Sequence, residues 1–256
     1  MVHDVTTLFW DIGGVILSNG WDHAARGAAV RRFDLDAADL ESRHEVPFAA
    51  FEAGKMTLDD YLRSRWVAEP LRLLDCCPST DGGGACIVTS RERARDLAKP
   101  PARILGAGQS HSSEIIHPTG PEPKAIGGRR AAELTFAMAG VTPKDIDVAQ
   151  FYDAFTPRVV HDLLAYGFCA PEALGDFIMK GHLDYGGALP SNTAGGLISE
   201  GHLSGFGHIR EAVRQMRGEA GERQVAGAEL CLVTGYGGAP HEAPPTVSYS
   251  ALILAR

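Results

Sequence analysis

The sequence feature that most constrains the fold is a glycine-rich stretch at residues 185–209, which reads YGGALPSNTAGGLISEGHLSGFGHI. Glycine lets the backbone turn tightly and approach other groups closely. The stretch runs into an amphipathic helical pattern at 209–216, and a helix N-terminus presents backbone N–H groups to whatever lies in front of it. It also contains His202 and His208, whose imidazoles titrate near neutral pH. Because an ordinary surface loop could have this composition, its meaning depends on the neighbouring segments.

Composition and charge exclude several classes of protein. The chain has 256 residues, of which 45% are hydrophobic and 22% charged, enough for one or two domains with a core. The net charge is -8 and no basic stripe is present, so we expect no nucleic-acid partner. No apolar run approaches the ~20 residues of a membrane span. The first residues lack the basic start of a secretory signal, so a cytoplasmic location is expected.

The cysteines do not form a pattern that binds metal or builds a disulfide framework. They are odd in number and irregularly spaced, and no CxxC occurs, so neither a zinc site nor paired disulfides are expected. Cys86 and Cys231 lie in apolar strand patterns and are predicted to be small core residues. The full set is Cys76, Cys77, Cys86, Cys169 and Cys231.

Strand and helix patterns alternate through the larger part of the chain, which predicts a layered α/β domain. Gly140 is expected to close one of the helices, and Ser90 to cap another. Residues 235–238 are interpreted as part of the connection between the last two strands. The predicted strands lie at 85–89, 102–109, 146–152, 227–234 and 246–254, and the predicted helices at 90–99, 124–139, 155–168 and 209–216.

The first 66 residues have a different organisation. An apolar strand at 5–17 carries Asp11, and helical patterns follow, the last at 57–66. The segments FWDIGGVIL and FEAGKMTLDDYL resemble the opening of the haloacid-dehalogenase (HAD) hydrolases. That resemblance implies Asp11 as the nucleophile of a Mg²⁺-dependent phosphoryl transfer. Gly13 replaces the usual second aspartate and no later metal-binding acidic pair is found, so Asp11 and Mg²⁺ belong only to a HAD alternative.

Four motifs in register carry a second resemblance, and they are LLDCCPSTDGGGACIVTS, GVTPKDIDVAQFYDAFT, GGALPSNTAGGLISEGHLSGFGHI and RGEAGERQVAGAELCLVTGYGG. In this order and spacing they resemble the C-terminal half of a thiolase of the sterol-carrier or non-specific lipid-transfer type. That branch includes aldolase-like members that cleave steroid side chains. Together the two resemblances imply an α/β fold with two parts. Residues 68–256 form an αβα layered half-domain, and residues 1–66 form a HAD-like strand-plus-helices segment.

The thiolase resemblance also implies the site residues. His202 matches the GHxxG histidine, which contacts the thioester oxygen in that family. Tyr152, in YDAF, stands where relatives have Asn or His, and Tyr236, in TGYGG, stands where many have a late catalytic cysteine. Two tyrosines at these positions are typical of the aldolase-like branch. His208 is expected to face solvent in the first turn of a helix. The glycines expected to let the backbone approach coenzyme A are Gly195, Gly196, Gly201 and Gly205.

The function implied is the formation or cleavage of a C–C bond in a sterol or fatty acyl-CoA, by acyl transfer or retro-aldol chemistry. Coenzyme A enters as the acyl-CoA substrate. The nucleophile-bearing half of a thiolase has no counterpart in the motifs, so we expect an incomplete enzyme with an exposed apolar face. Such a face favours a homo-oligomer or docking to a small OB-fold acyl-CoA-binding subunit. Two alternatives stay open, namely a HAD-type phosphatase and a non-catalytic fragment that binds acyl-CoA or a partner.

Overall fold

The fold is that of a computed structural model, and the structure describes residue 31 and residues 63–112, 128–239 and 246–256. The predicted strand at 5–17, Asp11 and most of the predicted HAD-like helices lie outside the described residues. The predicted helix at 57–66 does not reach Trp66, which begins a strand instead.

Six strands and six helices are formed within the described residues, joined by short 3-10 turns. The first two strands make a small antiparallel hairpin. The strands are β1 (Trp66–Ala68), β2 (Leu71–Arg72), β3 (Arg103–Ser112), β4 (Val148–Gln150), β5 (Leu230–Ala239) and β6 (Thr246–Ala255), and the helices are α1 (Arg91–Ala94), α2 (Arg129–Ala139), α3 (Thr156–Ala165), α4 (Leu174–Met179), α5 (Gly196–Ser199) and α6 (Phe206–Arg217).

The larger sheet has the strand order β3-β6-β5-β4. Strands β3 and β5 both pair with β6 in antiparallel register, whereas β4 and β5 are parallel. Gln150 lies opposite Val233 in the parallel pair. Because parallel strands end at the same edge of a sheet, the residues after β4 and the last third of β5 emerge side by side there.

Helices cover the sheet on two faces, as the αβα prediction requires. Successive residues of a strand point to opposite faces, so Leu232 of β5 joins one core cluster and its neighbours Cys231 and Val233 join the other. Helices α2 and α3 contribute to the first cluster through Phe136 and Leu163. Helix α6 supplies Ala212 and Met216 to the second. The layered half-domain is therefore confirmed.

Two glycines of β3 explain how closely α2 packs on the sheet. A Cβ at Gly106 would lie 2.3 Å from the carbonyl oxygen of Thr135, and one at Gly108 would lie 2.4 Å from that of Ala131. Neither position has room for a side chain, so the helix backbone rests directly on the strand. At its C-terminal end α2 stops at Gly140, which has the left-handed conformation with φ +70°. The predicted helix stop is confirmed.

Two strand predictions need correction. Residues 85–89 form no strand, because this segment pairs with no other strand in the described structure and the side chain of Ile87 is 88% exposed. Conversely, residues 235–238 belong to β5 and not to the connection after it, since Tyr236 pairs with Tyr249 and Gly237 with Ser248 of β6. Ser90 caps α1 by accepting a hydrogen bond from the backbone N–H of Arg93, but that helix is only one turn long.

Candidate active site

Tyr152 is fixed immediately after β4 by the glycine-rich stretch. The side chain of Asn192 accepts a hydrogen bond from the backbone N–H of Phe151 at 2.6 Å and donates one to its carbonyl oxygen at 3.0 Å. Asn192 has φ +47°, a conformation that asparagine tolerates better than most residues. Through these two bonds the loop continues the edge of the sheet and holds the backbone that carries Tyr152.

His202 reaches Tyr152 from the far side of the same stretch. Its backbone N–H donates to Oγ1 of Thr80 at 3.1 Å, and a Cβ at Gly201 would lie 2.7 Å from the Thr80 methyl group. This close contact sets the position of the imidazole, whose Nε2 lies 2.9 Å from the phenolic oxygen of Tyr152. The two side chains form a hydrogen-bonded pair that is partly open to solvent.

Tyr236 lies on the adjoining part of β5. Its ring centroid is 6.3 Å from that of Tyr152 and 5.6 Å from that of Tyr249, its cross-strand neighbour. Tyr236 is only partly buried. The structure thus brings together the three residues that the sequence proposed as catalytic, two tyrosines and His202.

His208 is buried, and the prediction that it faces solvent is wrong. Only 2% of the side chain is exposed, because the first turn of α6 packs under the loop after β4. Its Nε2 lies 3.2 Å from Oδ1 of Asp153, off the direction of a hydrogen bond. Its ring centroid is 6.3 Å from that of Tyr152, so the buried His208–Asp153 pair lies directly behind the tyrosine.

Asp153 explains why a glycine is needed at position 196. The carboxylate accepts a 2.7 Å hydrogen bond from the backbone N–H of Leu197 and a longer one, 3.5 Å, from that of Ile198. Gly196 has φ +67°, and a Cβ there would lie 2.1 Å from Oδ2 of Asp153. Two N–H groups at the start of α5 are therefore directed to Asp153.

The other glycines predicted to approach coenzyme A also contact protein groups. Gly205 has φ +84° and lies under the ring of Tyr152, with its missing Cβ 3.6 Å from two ring carbons. Gly195 has φ +99° and caps α5. These contacts shape the loop around the tyrosine, and a direct role in binding coenzyme A stays a prediction.

The electrostatic surroundings of the two tyrosines differ. Burial, with smaller contributions from Cys77, Asp153 and Tyr236, raises the pKa of Tyr152 to about 12. Burial and Tyr249 also raise the pKa of Tyr236, but the nearby cation of Arg158 opposes that shift. Tyr152 is therefore held as the neutral phenol, whereas Tyr236 has a partner that stabilises its phenolate.

Cys77, the cysteine that lies next to the site, is not in a state suited to nucleophilic attack. Cys77 is next to the site through a 2.9 Å hydrogen bond from its backbone N–H to the carbonyl of Ala154. Burial, Asp153 and Cys76 raise the pKa of its thiol to about 11, so it stays protonated near neutral pH. Cys231 is fully buried in β5, as predicted. Cys86 lies in an irregular segment and is partly exposed, so its assignment to the core is wrong.

The sequence did not single out several residues that hold the site together. Asn192 and Thr80 were visible only as members of a motif, since their function depends on backbone groups of distant segments. Asp153 directly follows Tyr152 in the YDAF motif, and this position next to a candidate catalytic residue is the signal that could have identified it. The sequence around Arg158 contains no such signal. Among the described residues, no group of three or more His, Cys, Asp or Glu side chains is arranged to hold a metal ion.

An αβα half-domain whose loops gather a tyrosine–histidine pair and a second tyrosine at one sheet edge has the architecture of a thiolase-like protein. The profile of the thiolase C-terminal domain-like family matches residues 107–248. The chain belongs to this family, and the thiolase resemblance is confirmed.

Several known proteins resemble the chain, among them two curated relatives and one solved structure. The 17-hydroxy-3-oxo-4-pregnene-20-carboxyl-CoA lyase of Mycobacterium tuberculosis is 41% identical over 84% of this chain and 56% of its own length. The steroid side-chain-cleaving aldolase of Thermomonospora curvata is 43% identical over 79% of this chain and 53% of that protein. A solved Ltp2-ChsH2(DUF35) aldolase has a TM-score of 0.69 and 42% identity, covering 78% of this chain and 51% of that one.

The chain spans about half the length of these relatives. None of the three supports the HAD-like interpretation of residues 1–66. In the part of the chain that the structure describes, no helix combines the length and the apolar character needed to cross a membrane.

Proposed function

We propose that this chain carries the tyrosine–histidine part of a retro-aldol active site that cleaves a C–C bond in the side chain of a steroid-type acyl-CoA. The observation that carries the proposal is the 2.9 Å contact between Tyr152 and His202, with the ring of Tyr236 beside it. The names of the two relatives, a carboxyl-CoA lyase and a side-chain-cleaving aldolase, support the substrate class.

The proposed reaction begins at the β-hydroxyl group of the acyl-CoA. Tyr236 takes the hydroxyl proton in its phenolate form, which is the minor form near neutral pH because burial raises its pKa, and which Arg158 stabilises. The Cα–Cβ bond then breaks, the hydroxyl carbon becomes a carbonyl, and the electron pair of the broken bond forms the thioester enolate. Tyr152 gives its phenolic proton to Cα, which yields the shortened acyl-CoA. Transfer of the proton held by Tyr236 to Tyr152 restores both groups.

His202 has two functions in this proposal. We propose that its hydrogen bond keeps the hydroxyl of Tyr152 directed at the reacting carbon and that its partly exposed ring contacts the enolate oxygen. Groups that are fixed before the charge develops stabilise an oxyanion by about 3–4 kcal/mol each. The glycine-rich loop is proposed to approach the acyl-CoA with its backbone, through Gly195, Gly201 and Gly205.

Thiolysis is less compatible with these surroundings. That reaction needs a thiolate nucleophile, whereas burial and neighbouring acids raise the pKa of Cys77, the cysteine next to the site. Retro-aldol cleavage requires no acyl-cysteine intermediate. The two tyrosines and the protonated thiol of Cys77 therefore favour the lyase over an acyltransferase that would use Cys77 as its nucleophile.

A partner subunit belongs to the proposal. One relative of known structure is an Ltp2-ChsH2(DUF35) aldolase, and we propose that this chain likewise docks to a second subunit that holds the acyl-CoA. Large apolar side chains exposed on the described surface include Met138 (65% exposed) and Met179 (85% exposed). Single exposed side chains of this kind are common on protein surfaces, so the support for a partner subunit is the relative of known structure.

The experiment that tests the reaction class uses the chain together with a candidate acyl-CoA-binding subunit. A steroid β-hydroxyacyl-CoA is supplied without free coenzyme A, and the products are separated by mass spectrometry. We expect a steroid ketone and a shortened acyl-CoA. Thiolysis would instead require free coenzyme A and a β-keto substrate. Binding of the acyl-CoA without any cleavage would contradict the proposal and favour the non-catalytic alternative.

A further inference from the structure

A buried cation lies against the ring of Tyr236. The guanidinium carbon of Arg158, on α3, is 4.8 Å from the centroid of the Tyr236 ring and 5.0 Å from that of Tyr249. Only 6% of Arg158 is exposed. An arginine over an aromatic face is attracted by the negative electrostatic potential of the ring, and more strongly where water is excluded. Arg158 therefore fixes the tilt of Tyr236 as well as supplying a charge.

The same arginine is connected to Tyr152 through a chain of buried groups. Asp162, one turn later on α3, pairs with Arg158 and is 1% exposed. The hydroxyl of Thr234 donates to Oδ2 of Asp162 at 2.6 Å and accepts from the backbone N–H of Tyr152 at 2.9 Å. Three side chains thus connect the face of one proposed catalytic tyrosine to the backbone of the other.

A purely structural function would not require this arrangement. A buried ion pair is expensive to desolvate and often adds nothing to stability compared with apolar side chains of the same size. Moreover, Nε of Arg158 is buried without an acceptor among the described residues. A charge that is costly for folding and lies on the face of a proposed catalytic ring indicates a function in the site.

We propose that Arg158 is a positioning residue, which orients Tyr236 and, through Asp162 and Thr234, sets its placement relative to Tyr152. This inference rests on the proposed function for the meaning of the two tyrosines, but the arrangement can be tested without it. Because the buried guanidinium of Arg158 lies over the ring of Tyr236, its removal should change the properties of that phenol directly.

The test is a pH titration of the full chain with ring-carbon-labelled tyrosine, followed by NMR. The resonance of Tyr236 is assigned by its loss in Tyr236→Phe. The ionisable groups facing Tyr236 are Arg158 from α3, Tyr249 from β6 and Tyr152 after β4. An opposite charge within about 4–6 Å lowers a pKa by about 1 unit or more, so Arg158→Met should raise the pKa of Tyr236 by about 1 unit.

The direction of the change separates charge from packing. If Arg158 only filled space, its loss would admit water to Tyr236 and lower the raised pKa toward the ordinary value of about 10. Arg158→Lys retains a cation, so its shift should be less than half of that in Arg158→Met. If Arg158→Met does not fold, Arg158→Gln is used in its place, because glutamine keeps a hydrogen-bond donor for Asp162. The same rise of about 1 unit in the pKa of Tyr236 is then expected. The proposal is overturned if the pKa of Tyr236 falls or stays unchanged in the neutral variants Arg158→Met and Arg158→Gln.

Activity supplies a second readout with a matched control. In the retro-aldol assay, Arg158→Lys should lower kcat by about tenfold and leave KM within about twofold of the wild type. The reason is that the planar guanidinium is lost, whereas no contact with the substrate is expected to be lost. Arg130→Met removes an exposed arginine that pairs with Glu133 on α2, and it should change neither kcat nor KM. A shifted pKa in a chain without lyase activity would refute the proposed function alone, whereas lyase activity with an unshifted pKa would refute only the function of Arg158.

Discussion

The phenolic oxygen of Tyr152 lies 2.9 Å from Nε2 of His202, although the two residues are 50 positions apart in the chain. Neither residue reaches this contact by itself. Asn192 holds the backbone before Tyr152, and Thr80 holds the backbone of His202. The contact therefore depends on three segments of the thiolase-like domain packing together, and each of these supports can be removed separately.

The ionisation of Tyr152 should be displaced to high pH. Burial raises its pKa to about 12, whereas an unfolded tyrosine titrates near about 10. Between these values the unfolded chain releases the proton and the folded chain retains it, so this residue should lower the free energy of unfolding as pH rises from about 10 to 12. Below pH ~10 it should have no such effect. Urea unfolding of the wild type and Tyr152→Phe across this range measures the difference, and parallel pH dependences would disagree with the burial of Tyr152.

Gly196→Ala should destabilise the chain much more than Gly186→Ala. Both glycines have positive φ, which costs an alanine about 1–2 kcal/mol. At Gly196 the new Cβ would also lie 2.1 Å from the Asp153 carboxylate, whereas nothing lies within 4 Å at Gly186. We expect the free energy of unfolding to fall by about 3 kcal/mol or more in Gly196→Ala and by about 1 kcal/mol in Gly186→Ala. Equal losses in chemical denaturation would mean that Asp153 does not occupy this space.

Asn192→Ala should loosen the loop from β4. The substitution removes both side-chain hydrogen bonds to the backbone of Phe151, and each is worth about 1 kcal/mol with a further cost for unsatisfied groups. The expected loss in the free energy of unfolding is about 2–3 kcal/mol. Ser191→Ala is the matched control, since its hydroxyl bonds only to the nearby carbonyl of Leu189. A similar small effect in both variants would show that the amide of Asn192 does not hold β4.

Thr234→Val should impair lyase activity more than its effect on stability explains. The variant keeps the shape of the side chain but loses the hydroxyl that connects Tyr152 to Asp162. Thr135→Val removes another buried threonine hydroxyl, which bonds only within α2. Each substitution should lower the free energy of unfolding by about 1–3 kcal/mol. Only Thr234→Val should also lower kcat, by about tenfold. Equal kcat values in the two folded variants would contradict a connection between the tyrosines through Thr234.

Strand and helix periodicity predicted most of the described fold. Strands β3, β4, β5 and β6 and helices α2, α3 and α6 all lie where alternating or helical apolar patterns indicated, with ends displaced by a few residues. The segment at 85–89 failed because a short apolar run is compatible with a strand but does not specify a partner. The glycines at 235–238 favour a connection between strands, yet pairing with β6 extends β5 through them.

The site was predictable only where a family motif marks a residue. Tyr152, His202 and Tyr236 were identified in this way, and the structure places them together. His208 was misjudged because its surroundings are supplied by Asp153, from a segment far away in sequence. Arg158 was missed for the same reason, since its partners Tyr236 and Tyr249 come from the last two strands. Such contacts arise from the pairing of strands and carry no local pattern.

The central claim is that Tyr152 and Tyr236 perform the cleavage without a cysteine nucleophile. The most direct measurement is the rate of ketone release from a steroid β-hydroxyacyl-CoA by the chain with a candidate acyl-CoA-binding subunit, in Tyr152→Phe, Tyr236→Phe and Cys77→Ala. Tyr185→Phe serves as the control, because Tyr185 is an exposed tyrosine at the start of the glycine-rich stretch and its hydroxyl donates to the backbone carbonyl of Thr193. Loss of a general acid or base costs about 10²–10⁴-fold, so kcat should fall by about that factor in the first two variants and stay within about threefold in the others. Full activity in both tyrosine variants, or its loss in Cys77→Ala, would contradict the account.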